Sequence, residues 1–299
     1  MAKQEFKIER SFLERLERLT IHWQKSFPGV VGGHNPSRYT GPGQEFLDHR
    51  NYAHGDDLRA VNWRAFMRLE KLFLKLFQIE PRVPIRLLMD ASGSMGLGDK
   101  WDFARRLVAA LVYVGLVRLD AIQILPFRDG LEEGLQCGGG RHRFSPVAQF
   151  LGGVEAQGPT DFAKVAREFL DGGRARGLLI VVSDFLGEQD YAKPLQYLAD
   201  YGHDLFLVQV WDEQERAPRV EGDLEIEQVE SGERLQITFD AGARERYIAA
   251  FDEHAESIRR VAIRNRGRYA AMPTNVNLEE AVFAALTNTL TTNLAAGAR

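Results

Sequence analysis

The sequence has very little cysteine and no long hydrophobic run. Cys137 is the single cysteine among 299 residues, which excludes an intramolecular disulfide and fits a reducing compartment. The longest apolar stretch, residues 107–117, falls well short of the roughly 20 residues that a membrane-spanning helix needs. Residues 1–5 lead into a charged amphipathic stretch that does not resemble a signal peptide. We therefore expect a cytoplasmic protein without a membrane span.

The sequence also lacks the spacing of common zinc and phosphate sites. Its seven histidines are scattered, and no His-x-x-x-His pair points to zinc. Residues 93–100 fail as a phosphate-binding loop, because Asp99 intervenes before Lys100 and no Ser or Thr follows. The first 86 residues carry a net charge of +5 and the remainder −9. The acidic remainder argues against nucleic-acid binding, whereas the basic block could contact a protein partner or pair with acids of the same chain.

Residues 85–290 alternate between strand and helix patterns. Strands are predicted at 85–90, 121–125, 177–183, 204–210 and 267–271, and helices at 100–118, 160–171, 190–201, 241–265 and 277–290. This alternation predicts an α/β domain with a doubly wound, mostly parallel sheet. Alternating apolar residues around Ser231-Gly232 predict a β-hairpin at 223–239, within an insertion at 212–239.

The flanking segments complete the predicted organisation. Residues 1–84 are predicted to form an N-terminal accessory region, with helices at 8–26 and 57–69 and a strand at 72–79. Residues 291–299 are predicted to form a C-terminal tail.

Polar side chains stand where ligands of a doubly wound sheet bind, beyond the carboxyl ends of strands. Asp90-Ala91-Ser92-Gly93-Ser94 follows the first strand, Thr160-Asp161 opens a helix, and Ser183-Asp184 ends the strand at 177–183. Oxygen ligands of this kind suit a hard cation, Mg²⁺ above all, with Mn²⁺ or Ca²⁺ as alternatives. As helix or turn caps, Thr160, Asp161 and Asp184 would have a purely structural role.

The three segments resemble the metal-ion-dependent adhesion site of von Willebrand factor A domains. The resemblance maps the ligand positions onto Asp90, Ser92, Ser94, Thr160 and Asp184, and leaves Asp161 and Ser183 beside them. It implies a site with one metal position open to an acidic residue of a partner protein.

The segment before the first strand resembles a narrower family. It contains Gly41-Pro42-Gly43-Gln44-Glu45-Phe46, Arg50-Asn51-Tyr52, Gly55-Asp56-Asp57-Leu58-Arg59, Asn62-Trp63-Arg64-Ala65 and Arg68. This pattern is similar to the bacterial family called domain of unknown function 58, over residues 30–290. The resemblance implies a von Willebrand factor A-like fold. It also implies a non-enzymatic accessory or adaptor role in chaperoning or complex assembly, beside a MoxR-type AAA+ ATPase.

Two other functions remain open from the sequence. Ser92-Gly93-Ser94-Met95-Gly96 is close to the Gly-x-Ser-x-Gly motif of hydrolases, with Ser94 as nucleophile and Asp184 with His203 or His254 as partners. Against this, the carboxylate of Asp90 would oppose a developing oxyanion. The other alternative is a metal-independent structural adaptor that makes its contact through the basic N-terminal block.

Overall fold

The computed structural model describes the chain in two compact units. The described residues are 8–9, 11–17, 45–54, 56–58, 61–78, 84–118, 120–187, 189–230 and 232–287. Those between 45 and 78 form the smaller unit, and the others form the larger unit. The helical residues 11–17 belong to the larger unit, so the predicted accessory region 1–84 is divided between the two.

The smaller unit is a strand pair with one short helix. Strands β1 (Glu45–Asn51) and β2 (Phe73–Gln78) pair antiparallel, and the helix Trp63–Leu69 lies between them in sequence. The side-chain oxygen of Asn62 accepts a hydrogen bond from the amide of Ala65, which caps this helix. Among the described residues, the helix of the predicted segment 57–69 begins at Trp63, because Val61 forms a β-bridge with Leu74 and Asn62 caps the helix.

The larger unit contains the predicted sheet. Its strands are β3 (Ile85–Asp90), β4 (Ile122–Phe127), β5 (Leu135–Cys137), β6 (Leu178–Ser183), β7 (Asp204–Trp211), β8 (Gly222–Glu227), β9 (Arg234–Phe239) and β10 (Arg268–Pro273). Six of these strands form one sheet in the order β10-β7-β6-β3-β4-β5. In this sheet β5 pairs antiparallel with β4, and the other neighbouring strands pair parallel. β8 and β9 form the separate hairpin. The predicted fold class is confirmed.

Helices cover both faces of the sheet. They span Lys100–Val117, Phe144–Gly153, Phe162–Asp171, Ala192–Asp200, Glu213–Arg216, Ala241–Arg264 and Leu278–Thr287. Leu88 and Val181 pack on one face with Phe162 and Phe169. The strand residues between them, such as Met89 and Val182, are also buried and point to the other face, because strand side chains alternate. Burial on both sides explains why β3 and β6 lack polar alternation.

Three elements of this unit have no counterpart in the sequence prediction: β5, the helix Phe144–Gly153 and the short helix Glu213–Arg216. β5 has three residues beside glycines and pairs with the start of β4, and the helix Phe144–Gly153 includes Pro146 and two terminal glycines. Residues beyond 287, including the predicted tail, lie outside the described part of the chain. Among the described residues, no helix is long and apolar enough to cross a membrane.

The strand order determines where a ligand binds. The chain runs from β3 to β4 on one side, and then returns to β6 on the other side of β3. This reversal creates a topological switch point at the carboxyl ends of β3 and β6, the place where doubly wound sheets bind their ligands. The predicted site residues Asp90 and Asp184 stand at those two ends.

Candidate metal site

Asp90 is the buried centre of the first loop. Its side chain is 1% exposed, and Oδ1 accepts a hydrogen bond of 2.9 Å from the amide of Ser92. Oδ2 accepts a hydrogen bond of 2.6 Å from Oγ of Ser183, at the end of the neighbouring strand. Oγ of Ser92 lies 3.1 Å from Oγ of Ser94. The fold therefore brings Asp90, Ser92, Ser94 and Ser183 together.

The loop that carries Thr160 is bound directly to this first loop. The amide of Gly93 donates to the carbonyl of Gly158 at 2.8 Å, and the amide of Gln157 donates to the carbonyl of Ala91 at 2.9 Å. Oγ1 of Thr160 is buried and has no hydrogen-bond partner among the described residues. Asp161, by contrast, caps the following helix through the amide of Lys164, so it has the capping role that the sequence left open.

Asp184 takes part in a buried ion pair that the sequence did not indicate. Nζ of Lys100 is fully buried and lies 2.8 Å from Oδ2 of Asp184 and 2.5 Å from Oε1 of Glu215. The other oxygen of Asp184 accepts a hydrogen bond from the amide of Leu186. The residue after Asp184, Phe185, has a positive φ of 52°, a strained conformation that often accompanies functional sites.

Burial dominates the electrostatics of this edge. Burial, and then the charge of Asp184, raises the pKa of Asp90 to about 7. Burial lowers the pKa of Lys100, but the charges and hydrogen bonds of Asp184 and Glu215 outweigh it, and the net pKa is raised. Burial also raises the pKa of Glu215. The carboxyl groups of Asp90 and Glu215 therefore ionise less readily than exposed carboxyl groups do.

Comparison with known proteins identifies the family. Residues 48–257, well over half of the chain, match the family described as "Protein of unknown function DUF58". The chain belongs to this family. The uncharacterized proteins Mb1516 of Mycobacterium bovis and Rv1480 of Mycobacterium tuberculosis are each 24% identical to it over 259 residues, covering 82% of this chain and 79% of each relative.

Several solved structures are distantly similar to this DUF58 chain. BatB from Bacteroides thetaiotaomicron is 14% identical and covers 70% of this chain and 100% of its own, with a TM-score of 0.40. An aerotolerance-related membrane protein from Bacteroides fragilis is 16% identical (70% and 98%, TM-score 0.41). The VWA domain of SpRpn10 is 10% identical (67% and 93%, TM-score 0.39). These likenesses are too distant to assign a function.

The donor set of this DUF58 chain fits a hard divalent cation. The carboxylate of Asp90 accepts hydrogen bonds from the hydroxyl of Ser183 and the amide of Ser92, and a carboxylate has about four lone-pair sites in all. The buried Oγ1 of Thr160 has no partner among the described residues. A cation would satisfy that hydroxyl and favour the ionised form of Asp90. In the described part of the chain, no cluster of three or more His, Cys, Asp or Glu side chains is arranged to hold a metal. A cation here would therefore depend on hydroxyl oxygens as well as on the two carboxylates.

Sequence reasoning missed Lys100 and Glu215. In the sequence, Lys100 stands out only as the end of a segment that fails as a phosphate loop, and in the structure it begins the helix after the Asp90 loop. Glu215 and Asp212 form a capping box at the start of the helix Glu213–Arg216. The side chain of Asp212 accepts a hydrogen bond from the amide of Gln214, and the side chain of Glu215 accepts one from the amide of Asp212. The spacing of Asp212 and Glu215 is readable in the sequence, but the contact with Lys100, 115 residues away, is not.

The hydrolase arrangement is not assembled among the described residues. Oγ of Ser94 is hydrogen-bonded to Ser92, and His203 precedes β7 at the opposite edge of the sheet, where its ring packs on Phe169 at 5.3 Å. Nε2 of His254 lies 2.7 Å from the carbonyl oxygen of Phe185. Neither histidine is placed as a base for Ser94.

Proposed function

We propose that this chain is a non-enzymatic protein-interaction module that binds a partner's carboxylate through a divalent cation. Asp90, Ser92 and Ser94 hold the cation, and Thr160 and Asp184 contact it directly or through water. Mg²⁺ is the preferred ion, since it retains waters in a near-octahedral shell and a partner's carboxylate can replace one of them. The observation that carries the proposal is the buried hydroxyl of Thr160, which has no partner among the described residues and lies on the loop that hydrogen-bonds to the loop of the buried Asp90.

The partner that we propose is a MoxR-type AAA+ ATPase, in a cytoplasmic chaperoning or assembly process. This choice rests on the family resemblance, since the described residues carry no feature specific to an ATPase. The chemistry of the site requires only that the partner present an Asp or Glu side chain.

The proposal is tested with the metal and the partner separately. Mn²⁺ binding is titrated by calorimetry for the wild type, for Asp90→Asn and for Asp129→Asn, an exposed carboxylate used as control. Capture of a MoxR-type ATPase is then compared with Mg²⁺ and with EDTA. We expect Asp90→Asn to remove metal binding and metal-dependent capture, and the control to keep both. Capture that is unchanged by EDTA and by Asp90→Asn would refute metal bridging.

A metal-independent adaptor is the second candidate, because Lys100 already supplies a positive charge to Asp184. In that case the ammonium serves as the cation of the site, and the partner contacts another surface. Partner capture in EDTA at wild-type strength, together with no measurable Mn²⁺ binding, would favour this candidate over the first.

A further inference from the structure

The hairpin of β8 and β9 is an exposed arm that rises from the chain between β7 and the helix Ala241–Arg264. Most of its strand residues are exposed, including Ile226 at 45% and Leu235 at 60%. Cross-strand contacts stabilise it internally: Arg234 pairs with Glu225 and Glu227. Its shape therefore does not depend on packing of its strands against the sheet.

The tip of this arm contacts both loops of the candidate metal site. Oε2 of Glu230 accepts a hydrogen bond of 3.1 Å from the amide of Thr160. Beside it, Val229 lies against the first loop, where a Cβ atom on Gly93 would come within 3.2 Å of Cγ1 of Val229. Glycine at position 93 permits this approach. The tip thus places a carboxylate, and an apolar side chain next to it, on the site.

Glu230 differs from its neighbours on the hairpin in burial and in electrostatic surroundings. It is half-buried, whereas residues 225–229 are exposed. The pKa of the buried Tyr191 hydroxyl is raised by burial first, and then by the charges of Asp90, Asp184 and Glu230. The charges of all three carboxylates therefore act on the same hydroxyl, that of Tyr191. Glu230 accepts its hydrogen bond from the amide of Thr160, and the buried hydroxyl of Thr160 has no partner among the described residues.

We propose that Glu230 is a further ligand of the metal site, presented to a divalent cation by the hairpin tip. The carboxylate of Glu230 completes the coordination of the cation from within the chain. It takes the position that a partner's carboxylate occupies in the proposed function. This inference rests on that proposed function. A partner then binds by exchanging its own carboxylate for that of Glu230, and the hairpin tip moves away from Thr160 and Gly93.

The test uses Mn²⁺ alone and the full chain. Free Mn²⁺ is measured by electron paramagnetic resonance, and the waters on bound Mn²⁺ are measured by proton relaxation. Glu230→Gln keeps the shape of the side chain and removes its charge, and Glu221→Gln is the control at the exposed base of the same hairpin. We expect Glu230→Gln to weaken Mn²⁺ binding by about 10-fold or more and to increase relaxation per bound ion, because water replaces the carboxylate. Glu221→Gln should match the wild type.

The outcomes separate this inference from the proposed function. If Glu230→Gln binds Mn²⁺ like the wild type while Asp90→Asn does not bind it, Glu230 is no ligand and the metal site stands. Weaker binding with unchanged relaxation per bound ion also overturns direct ligation. If the wild type binds no Mn²⁺, both proposals fail. Thermal unfolding of each variant shows that the fold is intact.

Discussion

Replacing Asp90 with Asn should flatten the pH dependence of stability in the metal-free protein. Burial, followed by the charge of Asp184, raises the pKa of Asp90 from 3.8 to about 7 in the folded state. Because the folded state holds this proton more tightly than the unfolded state, the stability from this group is fully present below about pH 4. That stability is lost as the pH rises through 7. At about 1.4 kcal/mol per pKa unit, the whole loss is about 4 kcal/mol, of which roughly 3 kcal/mol falls between pH 5 and pH 8.

Urea unfolding in EDTA at pH 5 and pH 8 measures this effect. We expect the free energy of unfolding of the wild type, and of the exposed control Asp129→Asn, to fall by roughly 3 kcal/mol more than that of Asp90→Asn. At pH 8 the Asn variant should be more stable than the wild type, since it buries no charge. An equal fall in the unfolding free energy of the wild type and Asp90→Asn between pH 5 and pH 8 would refute a buried Asp90 with a raised pKa.

Added metal should make the wild type more stable than Asp90→Asn at pH 8, the reverse of their order in EDTA. A cation at 100 times its dissociation constant stabilises the folded state by about 2.7 kcal/mol, provided that it does not bind the unfolded chain. Mg²⁺ at pH 8 should therefore raise the unfolding free energy of the wild type and leave Asp90→Asn unchanged. Equal stabilisation of both proteins would show that the ion binds elsewhere.

The remaining predictions concern Lys100 and Gly93. Lys100→Met leaves the buried Asp184 and the half-buried Glu215 without their counter-ion, so we expect a loss of about 3–5 kcal/mol in the free energy of urea unfolding. A loss below about 1 kcal/mol would contradict the buried pairing of Lys100 with Asp184. Gly93→Ala places a Cβ atom 3.2 Å from the hairpin tip and 3.3 Å from a carbonyl oxygen, and should cost about 1 kcal/mol in thermal unfolding. Gly153→Ala, with no atom within 4 Å of its Cβ, is the control, and equal effects of the two alanines would contradict the crowding.

The sheet was predictable because its signals are local. β3 and β6 are short apolar runs that end in polar residues, and the hairpin has alternating apolar residues around Ser231-Gly232. The predicted strand at 121–125 stopped before Pro126, but β4 continues to Phe127. The proline is tolerated because β5 pairs only with residues 122–124, so no ladder hydrogen bond is needed from its nitrogen on that side.

The charged contacts around the site could not be predicted from the sequence, because they join residues that are far apart along the chain. Lys100 meets Glu215 across 115 residues, and Glu230 meets Thr160 across 70. No periodicity relates such positions, so their pairing depends on the arrangement of the whole domain. The sequence therefore predicts the loops that form the site, whereas the charged residues Lys100, Glu215 and Glu230 are found there only from the structure.

The charge balance of the site explains how a partner could exchange with the hairpin tip. Asp90, Asp184 and Glu215 carry three negative charges when ionised, and Lys100 offsets one of them. A divalent cation neutralises the remaining two, so the carboxylate of Glu230 meets a site without excess negative charge. A partner's carboxylate that replaces Glu230 leaves the total charge unchanged, so electrostatics favours neither acid. The choice between them then depends on the surrounding contacts, in particular on whether the partner replaces the packing of Val229 on Gly93. Without the cation, either carboxylate would add to the uncompensated charge of the edge, and both contacts would weaken together.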